Sequence, residues 1–559
     1  MKKVTSLTVI IILVSLVSCK KDFLKTPPLT NLSQASYYKS PTDAEYAVNA
    51  MYNSFYEMEG SPGAPYMDIL TDLIYLKNSW EAGFFPATNG SLAADNWWIA
   101  QFWSAKYTKI RNINYFFANI DQLQSQMSTD DMNNYKGQMR AIRAFLYTRL
   151  IQGFGDVPLI TTTLDVNAFP ARTNVDDVIK FIMSEFDQAI TELPETSSDS
   201  QHGHLTKYAA YALKARAALY VAGFYGKTEY YQVAADALAA IVSSGKFSLF
   251  RKYNDPTRDF GALFLEENEG SDNPEIILSY QFIKDLAPNN ISTVFAGPGW
   301  KGMQAHQNYI DLFEGINGWQ KYGISFAVMN KYRDTKVNRS PLEGVDPTYD
   351  PNNEFANRDP RLNQTFFNPN IHLSGGQILK PGEFWADANR IFAPDADNDA
   401  YFFKKMVEPS NFNPVYYYSN SANNYILIRY ADVELMYAEA LNQLGQTAQA
   451  IPYVNDVRSR AGMPAITAGS STELLEIIKH ERKVELIQEQ QLYWDYKRWG
   501  DLEKTMPPGS VFYGYRREDF GQTSLPMETK EMAYPKYHLW PIPVQELENN
   551  KNMTQNANW

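Results

Sequence analysis

The stretch 438-AEALNQLGQTAQAIPY-453 decides the fold. Alanines flank Gly445 on both sides, so two helices meet at a glycine turn and their small side chains let them pack closely. A looser copy runs through Ala217, Tyr220, Gly226, Ala234 and Ala237, and the span 186–193 would close an earlier pair. Such hairpins cannot bury their apolar faces alone, so at least three must stack. Here they must do so across a long interruption.

Working outward, helical spacing predicts helices over 43–58, 97–123, 132–152, 175–193, 206–224 and 229–243, and again over 428–444, 447–460 and 472–489. Between them, 250–424 is rich in Pro, Asn, Asp and Gly, with turn-demanding phrases such as Gly297-Pro298-Gly299. A loop-rich region of that length usually carries recognition. The expected architecture is mostly α. It is a tetratricopeptide-like helical-repeat scaffold (40–249 and 425–490) with a loop-rich binding region (250–424) packed on it and an irregular C-terminal segment (491–559), all one body over 40–559.

Cys19 is the single cysteine of the 559 residues, which excludes an intramolecular disulfide and a thiolate metal site. Its position explains it. Met1-Lys2-Lys3 is a positive start, 4–17 is a short apolar run, and Leu16-Val17-Ser18 supplies a cleavage site, so 1–18 reads as a lipoprotein signal and Cys19 as the lipidated residue. The segment 19–39, with Pro27-Pro28, reads as a tether from the membrane. Lys20-Lys21-Asp22 is similar to the charged signals that send such lipoproteins to the outer surface. The net charge of −12 disfavours nucleic acid and anionic lipid surfaces, which clustered Lys and Arg would hold.

Aromatic residues make up 14% of the chain, with 37 Tyr and 11 Trp, more than a core alone requires. A sugar ring offers a C–H face to indole or phenol and a rim of hydroxyls to Asn, Gln, Asp or Arg. Two blocks supply that mixture. One holds Trp80, Asn96, Trp97 and Trp98; the other holds Trp300, Gln304, Trp319 and Tyr322, and these are the candidate ligand contacts. Trp103 is read as core.

Catalytic signatures are absent: there is no serine-hydrolase elbow, phosphate-cradling glycine loop or His-Glu-x-x-His helix. With 63 Asp and Glu, a pair of carboxylates at glycosidase spacing is inevitable and singles out nothing. His202-Gly203-His204 has metal-like spacing but no further obvious ligands, so it reads as a surface loop. Glu476 and His480 share a helix face, where they pair with solvent or each other. Loop carboxylates could hold a structural calcium, but no calcium-loop pattern marks one, and no catalytic residue or cofactor is expected. Arg140, Arg143, Arg149, Arg429, Asp432 and Glu434 are read as structural, pairing across the scaffold.

The chain resembles the SusD/RagB family of nutrient-binding outer-membrane lipoproteins. The phrases that carry the likeness run in order: Cys19-Lys20-Lys21-Asp22-Phe23-Leu24, Tyr107-Thr108-Lys109-Ile110-Arg111-Asn112-Ile113-Asn114, then Arg140-Ala141-Ile142-Arg143 and Gly153-Phe154-Gly155-Asp156-Val157-Pro158-Leu159. Asp359-Pro360-Arg361-Leu362, Ile428-Arg429-Tyr430-Ala431-Asp432, Glu481-Arg482-Lys483-Val484-Glu485-Leu486 and Leu539-Trp540-Pro541-Ile542-Pro543 complete the set. The resemblance implies a surface lipoprotein that captures oligo- or polysaccharide and delivers it to a SusC-like TonB-dependent transporter. In that family glycan contacts come from an early loop and a mid-chain segment. Three other readings stay open: a peptide-capturing RagB-like protein, a lipid-anchored polysaccharide hydrolase, and a repeat scaffold that binds only proteins.

Overall fold

The structure, a computed structural model, describes residues 38–56, 66–77, 79, 83–165, 167–197, 203–270, 273–296, 302–326, 346–350, 353–368, 401–408, 420–514 and 526–559. Cys19 and the tether up to residue 37 lie outside the described residues.

Helix α1 (Pro41–Met51) begins at a reciprocal cap: the Ser40 hydroxyl accepts from the Asp43 amide while the Asp43 carboxylate accepts from the Ser40 amide. It tightens into a 3₁₀ turn ending at Phe55, short of the span expected to 58. Strand β1 (Ile74–Leu76) precedes α2 (Trp97–Asn119), α3 (Thr129–Phe154), α4 (Val175–Glu192), α5 (Lys207–Phe224) and α6 (Tyr230–Ser244). Strands β2 (Ile276–Tyr280), β3 (Met303–Ala305), β4 (Tyr401–Phe402) and β5 (Tyr425–Arg429) come next. Helices α7 (Tyr430–Gln443), α8 (Thr447–Arg460), α9 (Ser471–Glu485) and α10 (Leu492–Trp499) follow, then strands β6 (Ser510–Tyr513) and β7 (Pro526–Lys530).

Three hairpins form the frame: α3 packs on α4, α5 on α6 and α7 on α8, and α4 meets α5 while α6 meets α7. Gly445 takes φ +77° at the α7–α8 turn and Gly226 φ +69° before α6, left-handed conformations that cost a side-chain-bearing residue energy. The tetratricopeptide-like stack therefore closes across the insert: α6 and α7, far apart in sequence, are neighbours in space. Helix α5 is buried nearly all round, from Tyr208 to Ala222, because α4, α6, α7 and α10 surround it. Its alanines permit that crowding.

Three expectations are corrected. The helix expected from 428 starts at Tyr430, because Tyr425–Arg429 pairs antiparallel with Ile276–Tyr280 as the strand pair β5–β2. The helix expected to 489 ends at Glu485. The C-terminal segment, expected to be irregular, holds α10, whose residues Leu492 to Arg498 are all buried and so show no polar stripe.

The charged family phrases meet in the interior. Arg429 binds Glu275 (2.8 Å), Glu485 (2.6 Å) and Glu489 (2.8 Å); Arg361 binds Asp359 (2.7 Å), Glu481 (2.6 Å) and Glu485 (2.8 Å). Arg482 joins Asp432 (2.8 Å) to Asp495 (2.7 Å), and Arg460 also contacts Glu485. Burial alone would raise the Glu485 carboxyl, but the guanidiniums of Arg460, Arg429 and Arg361 hold it well below the usual carboxylate range. Arg140 and Arg143 pair with Glu185 in the same way between α3 and α4.

Candidate functional site

The two aromatic blocks are joined by a short sheet. Strand β3 pairs antiparallel with β1 in the register Ile74↔Ala305, Tyr75↔Gln304 and Leu76↔Met303, and with β4 on its other edge. Past the ladder, the Lys77 amide donates to the Gly302 carbonyl at 2.8 Å. Lys77 is three residues before Trp80, and Gly302 two after Trp300. Trp80 and Trp300 themselves lie outside the described residues. The turn that leads into β1 is pinned from beneath by buried Lys530, whose ammonium donates to the carbonyls of Ile69 (2.6 Å), Thr71 (2.5 Å) and Ile74 (3.1 Å).

The first turn of helix α2 separates two adjacent tryptophans. Asn96 Oδ1 accepts the amides of Trp98 and Ile99, and its Nδ2 donates to the Gly83 carbonyl at 3.0 Å. Asn96 is thus committed to capping, a correction to its expected ligand role. Trp97 is 58% exposed, with its indole lying over Gly83, where a Cβ would come within 2.4 Å of the ring. Trp98 is 1% exposed and sealed among Phe84, Phe102 and Trp540, with centroids 4.7, 5.3 and 5.1 Å away. Its expected place on a ligand face is corrected: the ring is core. Trp103 is buried against Phe154, as expected.

The mid-chain block also divides. Gln304 is fully buried in the centre of the ladder and presents no face to ligand, a correction to its expected role, while Trp319 is nearly all buried against Phe326 and reaches a cavity only by an edge. Sheet pairing accounts for the first, and a ring contact at 5.6 Å for the second. Half-buried Tyr322 donates its hydroxyl to Asp346 Oδ1 at 2.9 Å. Trp319 lines a cavity of about 440 Å³ with Gln320, Lys321, Arg458, Pro464 and Ile466, and Gln320 is tied to the Thr467 backbone.

A larger cleft, about 600 Å³, opens at the opposite end of the β1–β3 ladder, where Asp72, Leu73, Gln307 and Asn308 meet residues of α9, α10 and β6. Sequence reasoning missed it, because its lining comes from five separate stretches and Lys483 is embedded in a phrase otherwise made of buried ion pairs. Glu476 and His480 both line it but do not pair: Glu476 binds Lys479 at 3.0 Å, and His480 Nε2 lies 3.3 Å from Glu314. Among the described residues no group of three or more His, Cys, Asp or Glu is arranged to hold a metal, and none of their helices is long and apolar enough to cross a membrane. His204 stacks on Tyr52 with centroids 4.8 Å apart, and burial lowers its pKa. His202 lies outside the described residues.

Residues 274–559, half of the chain, match the model of the SusD family. The chain belongs to that family. Residues 22–219 of this SusD-family chain match a second model, described as starch-binding associating with outer membrane. SusD-like protein P38 of Formosa agariphila is 25% identical over 91% of this chain and 94% of its own length. A SusD-like protein of Bacteroides ovatus is 24% identical over 86% of this chain and 80% of its own. Among solved structures, a SusD-like protein from Bacteroides fragilis superposes with TM-score 0.75 at 22% identity, covering 96% of this chain and all of the other. A laminarin-binding SusD-like protein superposes with TM-score 0.66 at 22% identity, covering 93% and 100%. At such identities the superpositions establish the fold. Ligand and partner are argued separately.

Proposed function

We propose that this SusD-family chain is a lipid-anchored cell-surface protein that captures oligo- or polysaccharide and delivers it to a SusC-like TonB-dependent outer-membrane transporter. The observation that carries the reading is the Lys77–Gly302 hydrogen bond, which joins the flanks of the two segments holding Trp80 and Trp300; the exposed indole of Trp97 follows in the first of those segments. A glycan platform needs such indoles gathered on one rigid base, and the β1–β3–β4 sheet supplies the base. The laminarin-binding relative and the starch-binding description of the N-terminal match support a saccharide as ligand.

Lipidation at Cys19 would leave a tether of 19–39, able to span about 70 Å when extended. That gives the body freedom to sit over a neighbouring barrel. Capture needs no bond to break, so glycans incubated with the protein should be recovered unshortened by chromatography. Shortened products would move the protein into the hydrolase class.

The test is binding of the mature chain to a panel of neutral and acidic polysaccharides and of peptides by calorimetry. Trp80→Ala and Trp300→Ala should each weaken glycan binding about tenfold, and Trp97→Ala less, at unchanged melting temperature. Peptide binding without glycan binding, or glycan binding indifferent to all three changes, would overturn the reading.

A further inference from the structure

We infer that the cleft at the Leu73–His306 end of the β1–β3 ladder is a second saccharide site that selects chains bearing an anionic group, with Lys483 as its recognition cation. The inference rests on the glycan-capture reading and names a chemical class of substrate for it.

Most charges in the cleft are already matched. Lys479 is held by Glu476 and Asp501, each at 3.0 Å, and Lys504 by Asp501 at 3.1 Å. His480 faces Glu314. Lys483 differs. The residue is half-buried, and its ammonium sits 4.6 Å from the centroid of the Tyr496 ring with no carboxylate partner among the described residues. A ring face attracts the cation but takes none of its three N–H donors into a hydrogen bond to oxygen. The ring itself cannot drift, because the Tyr496 hydroxyl donates to Asp72 Oδ1 at 2.7 Å and α10 is buried. The result is a fixed cation with unspent donors on the wall of a cleft whose volume suits a small organic ligand.

The remaining walls fit a sugar. Half-exposed Glu476 and the oxygens of Asp72 can accept hydroxyl hydrogens, while Val511, 42% exposed, and half-buried Tyr513 offer apolar surface to a ring. A carboxylate or a sulfate ester on that sugar would meet Lys483 in a partly desolvated setting, where such a pair is stronger than in water. The three-residue ladder spans only about 10 Å. One chain could therefore reach from the Lys77–Gly302 end into this cleft.

The experiment measures binding of the mature protein to polygalacturonate, carrageenan and laminarin, which carry carboxylates, sulfate esters and no charge respectively, at low and high salt. Lys483→Met keeps the aliphatic stem over Tyr496, and Lys483→Arg keeps the charge. Binding of one acidic polymer that weakens with salt, falls about tenfold in Lys483→Met and is largely restored in Lys483→Arg, at constant melting temperature and unchanged laminarin binding, is the expected result. Whether polygalacturonate or carrageenan responds distinguishes carboxylate from sulfate. Acidic binding indifferent to Lys483→Met, or laminarin bound while both acidic polymers are ignored, overturns this inference and leaves the capture reading standing. Failure to bind any glycan overturns both.

Discussion

Lys497 enters the interior from α10 with its ammonium 2.6 Å from the Gln152 carbonyl and the rings of Phe224, Tyr493, Trp494 and Trp540 within 5.2–5.8 Å. Burial pushes its pKa down to about 7. Because the unfolded chain holds that proton up to about pH 10.4, it binds more protons than the folded state between roughly pH 7 and 10, and this group makes stability rise with pH across that window. Lys497→Met should remove the rise and stabilise the protein at pH 6–7 by on the order of 1–3 kcal/mol. The Gln152 carbonyl keeps the Tyr220 hydroxyl as donor. Thermal melts of both proteins from pH 6 to 9 check it: a difference in melting temperature that stays constant with pH would refute the assignment. Trp97 and Trp98 show why single side chains were only partly legible. They are neighbours in sequence with the same chemistry, yet successive residues point about 100° apart around a helix, and packing against Phe84, Phe102 and Trp540, the last over 400 residues on, makes one core and leaves the other exposed.

The helix end at Gly153 and the strand-like run at Trp540 form one joint. The Trp540 amide donates to the Gly153 carbonyl at 2.7 Å, and a Cβ on Gly153 would come within 2.8 Å of the Trp540 ring. The hydrogen bond prevents the ring from backing away. Gly153→Ala should therefore cost about 1–3 kcal/mol by overpacking, read as a lower denaturant midpoint with altered tryptophan fluorescence. An unchanged midpoint would mean that the joint is slack. Elements with a polar face were legible: α8 spans the 447–460 expected, and α4 and α6 begin and end within a residue of expectation. Helix α10 was not, because burial on every side erases periodicity. Strand β5 was absorbed into the helix that follows, since its partner β2 lies some 145 residues upstream and no local pattern announces the pairing.

Taken together, the buried ion pairs bind the insert to the repeat frame. Arg429 ends β5, Glu275 precedes β2, and Glu485 and Glu489 come from α9 and the turn after it, so one guanidinium ties three parts of the chain. Arg429→Ala would leave these three buried carboxylates with one cation fewer among them, Arg361, Arg460 and Lys405 remaining, and should cost on the order of 3–5 kcal/mol. The expected readout is a clear drop in melting temperature with glycan binding retained below the transition. Lost binding at an unchanged melting temperature would instead make Arg429 a ligand contact.

The sequence alone was enough to specify paired helices, an interrupted stack and the surplus of aromatic residues, because hydrophobic period, glycine turns and composition are local signals. Tertiary structure decided which tryptophan faces water, that the early segment before Trp80 meets the insert at the β1–β3 ladder, and that Lys483 is left without a carboxylate partner among the described residues. Those outcomes depend on contacts between residues hundreds of positions apart, and burial and pairing are properties of the folded neighbourhood rather than of the residue.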